Sequence, residues 1–227
     1  MREIFITGCA KSGTTLLLRM CFAFKDAEVL YRKGAEGHEL EFNEFVKYKS
    51  DQKFVIGKRH PPAILSTIWN RSFDYQIAKV VGRDIGIINV VRDGRDVVLS
   101  DGNYVKPNRW INCIEQRNSD YFKNIISLEV SYEDLVRNSN KVQKKIEKTF
   151  GIKSKNKFSE YPDYVEDWVF DWNVSVLARA GKGNEKGYGK RKVSDKSIGK
   201  DIEAYKSICT DDELPVFERH LKELGYL

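Results

Sequence analysis

Gly8-Cys9-Ala10-Lys11-Ser12-Gly13-Thr14-Thr15 is the segment of this 227-residue chain whose residue types and spacing most clearly imply chemistry. It follows a short apolar run, Ile4-Phe5-Ile6, and leads into the helical-looking Leu16-Leu17-Leu18-Arg19-Met20. A strand, a glycine loop and a helix start, in that order, aim backbone N–H groups and the positive end of a helix dipole at one point, where an anion binds. Ser12, Gly13, Thr14 and Thr15 would cradle one phosphate with their amides and hydroxyls, and Lys11 can reach a neighbouring oxygen. The glycine spacing is that of a phosphate loop, but Thr14 stands where the nucleoside-triphosphate version has lysine. The lysine sits three residues earlier, at Lys11, which points to a donor other than ATP.

A second constellation is Val91-Arg92-Asp93-Gly94-Arg95-Asp96-Val97-Val98-Leu99-Ser100. Arg92 closes an apolar run, and Ser100 follows one or two helical turns later. The two can meet on one anion, a planar guanidinium fork with a hydroxyl donor beside it. Asp93 can instead be read as the magnesium-holding acid of an ATPase, so a magnesium-dependent small-molecule kinase or nucleotidase is an alternative. Arg95 and Asp96 fit helix capping or surface pairing. A third segment, Lys58-Arg59-His60-Pro61-Pro62, follows another apolar run. His60 is one of three histidines, and the imidazole is the side chain whose ordinary range lies near neutrality, which suits a general base for an acceptor hydroxyl. Packing at a proline turn is the competing role for it.

The elements that must position these groups alternate. Strands are expected at about 2–7, 53–57, 85–91 and 128–131. Helices are expected at about 14–25, 40–48, 63–70, 93–101, 109–122, 133–150 and 211–225. Alternation of this kind predicts a parallel sheet with helices on both faces, and ligands in such sheets bind beyond the carboxyl ends of the strands. The glycine loop and Arg92 both fall at strand ends, so one cleft can hold both. Val165, Trp168, Val169, Trp172 and Val176 recur at helical spacing and read as core packing. In the last helix Leu214, Phe217, Leu221 and Leu224 share one face.

Composition narrows the class. Hydrophobic residues make up 41% and charged residues 32%, a balance that fits a soluble globular fold of one domain over 1–227. No apolar run approaches the roughly 20 residues needed to span a bilayer. The first strand starts almost at once, so a cytoplasmic protein without stable membrane insertion is expected. Cys9, Cys21, Cys113 and Cys209 form no C-x-x-C pair, so neither a metal site nor a disulfide framework is expected. A helix dipole would lower the pKa of Cys9 within the loop. The net charge is +6, and residues 181–200 carry seven cations against two acids, with five glycines. Such a segment suits a phosphorylated small molecule, an acidic surface or, for a non-catalytic polyanion-binding module, nucleic acid.

The two strand-end segments together resemble the sulfotransferases that use 3′-phosphoadenosine 5′-phosphosulfate (PAPS). Ala10-Lys11-Ser12-Gly13-Thr14-Thr15 is similar to their P-K-S-G-T-T loop, which holds the 5′-phosphosulfate. Arg92-Asp93-Gly94-Arg95-Asp96 running on to Ser100 is similar to R-x-P-R-D-x-x-x-S, whose arginine and serine bind the 3′-phosphate. Val130-Ser131-Tyr132-Glu133-Asp134-Leu135 resembles a common Y-E-D-L junction. Ser197-Ile198-Gly199-Lys200 resembles the S-I-G-R-W ending of bacterial members. Lys58-Arg59-His60-Pro61 looks like K-T-H-x-P, whose histidine is the general base; other branches use a carboxylate, for which Glu36, Glu39 and Glu41 are candidates. Ala10 and Gly94 replace two prolines of the pattern. The family's R-K-G phosphate motif has no clean match, and Lys190, Arg191 and Lys192, or Lys182 with Gly183, stand nearest to it.

The resemblance implies a three-layer P-loop-like α/β fold with a central parallel sheet flanked by helices. It implies transfer of a sulfuryl group from PAPS to an acceptor hydroxyl, with adenosine 3′,5′-bisphosphate as product. The partner would be a small-molecule or glycan acceptor, and no nucleic acid or metal would be needed. Lys11 would steady the leaving phosphate, His60 would serve as base, and the basic segment at 181–200 would cover the nucleotide.

Overall fold

Short apolar runs rich in Ile and Val form the strands, because residues buried on both sheet faces need no polar alternation. A computed structural model of the chain describes residues 2–31, 45, 47–59, 85–100, 105–166, 169, 198–199 and 203–227. Strands β1 (Arg2–Gly8), β2 (Ala27–Val29), β3 (Phe54–Lys58), β4 (Ile85–Val91) and β5 (Ile126–Ser131) pair in the order β2-β3-β1-β4-β5. All four pairings are parallel, with Ile4 opposite Ile56 and Ile6 opposite Ile88. β1 lies in the middle, and the connections leave it in opposite directions along the sheet. That is the switch point at which a crevice opens beyond the strand ends.

Side-chain alternation divides the core between the two faces. Ile4, Ile6, Ile56, Ile88 and Val90 join Leu17 and Leu18 of helix α1 (Thr14–Met20) in one cluster. Phe5 and Val55 point the other way, into a cluster with Leu30 and Phe45. Helices α2 (Gly94–Val98), α3 (Pro107–Asn118) and α4 (Asp120–Ile125) follow β4, and α5 (Tyr132–Arg137), α6 (Ser139–Phe150) and α7 (Tyr161–Tyr164) follow β5. The last, α8 (Glu213–Glu223), packs on α3, with the Trp110 and Phe217 ring centroids 4.6 Å apart. The expected parallel sheet flanked by helices is therefore present. Among the described residues no helix is long and apolar enough to cross a membrane.

Several expected boundaries move, each for a local reason. The first helix stops at Met20 and tightens into a 3-10 turn over Cys21–Ala23. Phe24 then bridges Ser154, and Lys25 N–H donates to the Lys153 carbonyl, drawing the chain out of the helix. The expected helix over 109–122 is two helices, because the Ser119 hydroxyl caps α4 by accepting from Phe122 N–H. The expected helix over 133–150 breaks at Asn138. The three-residue edge strand β2 escaped the pattern: it is too short to show a period and contains Glu28. Val165 and Val169 lie in the main core as expected. Trp168, Trp172 and Val176, the expected helix at 63–70 and most of that at 40–48 lie outside the described residues.

One polar network ties α3 to the sheet. Arg117 Nη2 and Nε donate to the two oxygens of Glu129 at 2.6 and 2.9 Å, and Asn89 Nδ2 donates to the same carboxylate at 3.0 Å. Burial opposes ionisation of Glu129, but the bonds from Arg117 and Asn89 outweigh it and hold the carboxyl below its ordinary range. A carboxylate depressed in the folded state stabilises the fold above its unfolded pKa and loses that contribution as pH falls through the folded value. Glu129→Gln should therefore flatten the acid limb of the stability curve below about pH 4.5, with little change in slope nearer neutrality. Urea midpoints measured across that range test this, and parallel acid limbs for both proteins would contradict it.

Candidate functional site

The loop after β1 can approach β4 only because Gly8 lacks a side chain: a Cβ there would collide with the Val90 carbonyl oxygen. Gly8 has φ 145° and Gly13 φ 93°, both in the region that favours glycine. A Cβ on Gly13 would strike the ring of Tyr132, which covers the loop from the start of α5. Lys11 also takes a positive φ, 68°, without being glycine. The loop closes on itself through Ser12 N–H to the Cys9 carbonyl at 3.1 Å, and α1 then begins at Thr14. The first turn of a helix has N–H groups with no intrahelical carbonyl, and here they face the crevice end of β1. Ser12 and Thr14 are buried, whereas Gly13 and Thr15 are partly open.

Two buried cations reach this loop from the strands on either side of β1. Arg92, one residue beyond β4 and 7% exposed, donates through Nη1 to the Lys11 carbonyl at 2.7 Å. Its guanidinium lies over the Tyr132 ring, 4.2 Å from the centroid, a cation–π geometry. Lys58, the last residue of β3 and fully buried, donates through Nζ to Thr15 Oγ1 at 3.0 Å. In the sequence Lys58 is visible only as the start of the histidine segment, with no role of its own. The signal was present, since a lysine closing an apolar strand beside a phosphate loop has few reasons to be buried. A buried ammonium and a buried guanidinium thus both contact the glycine loop.

The segment after Arg92 is fixed by its own charges. The Asp93 carboxylate caps α2 by accepting from Arg95 N–H at 2.9 Å. The Arg95 guanidinium then takes both of its oxygens, with Nη2 to Oδ2 at 2.7 Å. Asp96 is buried and accepts from Gly199 N–H at 2.9 Å, which joins α2 to the Ile198-Gly199 segment. Trp110 Nε1–H donates to the Arg92 carbonyl at 3.4 Å. A Cβ on Gly94 would lie 2.6 Å from Trp110 Cε2, so glycine at this position makes room for the indole.

The expected residues fare differently. The structure brings Arg92 onto the backbone of Lys11 and places Ser12, Gly13, Thr14 and Thr15 in one loop and helix start. Ser100 lies beyond α2, which ends at Val98 rather than near 101, and its hydroxyl donates to the Val97 carbonyl at 2.8 Å. His60, Lys190, Arg191 and Lys192 lie outside the described residues, as do Glu36, Glu39, Glu41 and Lys182. Cys9 departs from expectation: a hydrogen bond with Cys113 and burial push its thiol well above the ordinary range, against the lowering expected from the helix dipole. Its side chain packs with Ala10, Val97 and Trp110 in an apolar cluster.

Gly94→Ala should overpack the Trp110 contact and lower stability by roughly 1–3 kcal/mol, the usual range for a methyl forced into a filled core. A denaturant midpoint equal to that of the parent would show that the indole can move aside.

Neither protein-family models nor curated proteins match the chain. Solved structures do. A sulfotransferase domain from the curacin biosynthetic pathway aligns over 100% of this chain and 99% of its own, with a TM-score of 0.58 and 13% identity. The sulfotransferase domain of the Synechococcus PCC 7002 olefin synthase aligns over 97% of this chain and 94% of its own, with a TM-score of 0.55 and 18% identity. With its parallel β2-β3-β1-β4-β5 sheet and its glycine loop at the crevice, the chain has the fold of the sulfotransferase domains.

Proposed function

We propose that the protein transfers a sulfuryl group from PAPS to an acceptor hydroxyl, on a carbohydrate or glycolipid. The observation that carries this reading is the approach of Lys58 and Arg92, from the strands flanking β1, to one glycine loop. Two buried cations and a loop with no room for Cβ atoms at Gly8 and Gly13 suit a ligand with phosphates at more than one position. When bound, PAPS supplies the sulfuryl group on its 5′-phosphate. Lys11, Lys58 and the amides of Ser12 to Thr15 neutralise the charge that grows on that phosphate as its bond to sulfur breaks. Preorganised donors of this kind contribute about 3–4 kcal/mol each. Arg92 and Ser100 hold the 3′-phosphate and so distinguish PAPS from ATP. His60 takes the acceptor's proton, its oxygen bonds to sulfur, and adenosine 3′,5′-bisphosphate leaves. Lys190, Arg191 and Lys192 add positive charge over the nucleotide from the basic segment. The whole of 1–227 serves as one domain, in the cytoplasm.

The kinase alternative has lost its main support. An Asp93 that caps α2 and chelates Arg95 with both oxygens is not free to hold magnesium. Titration decides the matter directly. Adenosine 3′,5′-bisphosphate without metal should bind much more tightly than ADP with magnesium; the reverse order would remove the sulfotransferase reading. Arg92→Ala should weaken the 3′-phosphorylated nucleotide and spare a 5′-phosphate-only nucleotide, and equal losses would place Arg92 elsewhere.

Turnover separates the lysines from mere anion binding. Lys11→Ala and Lys58→Met should each lower kcat by about 10²–10³, the usual loss for one preorganised donor, with a smaller effect on nucleotide affinity. A PAPS-dependent transfer screen over sugar, lipid and phenol acceptors supplies the assay. Unchanged kcat in either variant would remove that residue from the leaving-group role.

A further inference from the structure

Arg92 and Tyr132 are stacked, and the residue directly after each carries a carboxylate: Asp93 and Glu133. These two carboxylates belong to a closed circuit of hydrogen bonds that runs through Tyr226. Arg95 Nη2 donates to Asp93 Oδ2 at 2.7 Å and to the Tyr226 carbonyl at 2.8 Å. The Tyr226 hydroxyl donates to Glu133 Oε2 at 3.0 Å. The other oxygen of Glu133 accepts from Asp93 N–H at 3.2 Å, which closes the ring. Three separate parts of the chain meet in it: the turn after β4, the first turn of α5, and the segment that follows α8. In this circuit Arg95 and Tyr226 each donate to one of the two acids, and the Asp93 backbone donates to the second.

We propose that Tyr226 is a positioning residue for Arg92: through Glu133 and Arg95 it sets the spacing between the turn after β4 and the start of α5, and so keeps the Arg92 guanidinium over the Tyr132 ring and in contact with the glycine loop. The role in nucleotide recognition rests on the reading of Arg92 given above; the mechanical role does not. Four observations support it. The stack and the circuit are adjacent in sequence on both sides, Arg92 beside Asp93 and Tyr132 beside Glu133, so a shift in one is felt at the other. The Tyr132 ring also fills the space beside Gly13, so a displaced α5 start would loosen the loop as well as the arginine. The Tyr226 hydroxyl remains a donor, because burial and then the charge of Glu133 push its pKa far above the ordinary range. Finally, Tyr226 borders a groove of about 450 Å³, lined also by Val91, Ser131 and Glu133, so removing its hydroxyl does not open a core cavity.

The test uses Tyr226→Phe, which deletes one hydroxyl and keeps the ring, and Glu133→Gln, which leaves one acceptor oxygen for two donors. The first readout needs no ligand. In the intact protein the Arg92 Nε–H resonance, assigned by its loss in Arg92→Lys, should be displaced by the Tyr132 ring current; both variants should move it toward the position of an unstacked arginine. The second readout is affinity. Adenosine 3′,5′-bisphosphate should bind about tenfold more weakly to both variants, the change expected from one lost hydrogen bond to a charged group, while a 5′-phosphate-only nucleotide changes by less than about twofold. An Arg92 resonance that stays in place in both variants overturns the proposal. So does a lower thermal midpoint accompanied by equal losses for the two nucleotides, which would make Tyr226 a tether for the segment after α8. If the resonance moves but the parent protein binds neither nucleotide, the positioning role stands and the sulfotransferase reading falls.

Discussion

The site depends on how closely the backbone after β1 can lie against β4. A methyl group at Gly8 would enter the space of the Val90 carbonyl oxygen, and one at Gly13 would enter the Tyr132 ring. With both absent, the loop sits low enough for Arg92 to reach the Lys11 carbonyl and for Tyr132 to cover both. The remaining polar contacts are arranged around that approach. Trp110 holds the Arg92 carbonyl from behind, α8 supports Trp110 through Phe217, and Lys58 meets Thr15 from the opposite side of β1. The middle strand carries the loop, and a cation at or just beyond the end of each neighbouring strand meets that loop from opposite sides. A switch point in a parallel sheet allows that approach, here with an ammonium on one side and a guanidinium on the other.

Much of this was legible in the sequence, for reasons that can be named. β1, β3 and β4 are apolar runs that end in glycine or in a charged residue, and a parallel strand buried on both faces gives that pattern. The glycine spacing of the loop was readable because glycine is the residue that tolerates both the positive φ and the close approach. Helix boundaries were less legible. Ser119 and Asn138 end one helix and start the next, but a serine or asparagine within a periodic run is also common on a helix surface. The edge strand β2 gave no periodic signal, since its pairing to β3 is decided by the backbone and not by its three side chains.

Two site features were hidden because they depend on partners far apart in the chain. Lys58 and Thr15 are 43 residues apart, and only the β1–β3 pairing brings them together. Gly94 stands where the resembled pattern has a proline; its neighbour Trp110 shows that absence of a side chain is what the position requires. Cys9 is the opposite case. Local reasoning placed it at a helix start and expected an acidic thiol, but burial and Cys113 dominate over the helix end. Local electrostatics predicted the wrong sign there because the thiol points away from the loop's open side, into the apolar cluster beneath α3.

The left-handed backbone of Lys11 has a consequence of its own. Holding a residue with a Cβ at φ 68° costs on the order of 1 kcal/mol relative to glycine. The loop already uses glycine on both sides of this position, so the cheaper residue was chemically open to it. Backbone strain retained at a lysine is what the proposed use of its ammonium at the leaving phosphate would account for. The thermodynamically relaxed version of this loop, with glycine at position 11, would be the sturdier protein and would lack the ammonium. On that proposal, one dihedral angle between Gly8 and Gly13 sets stability against chemistry.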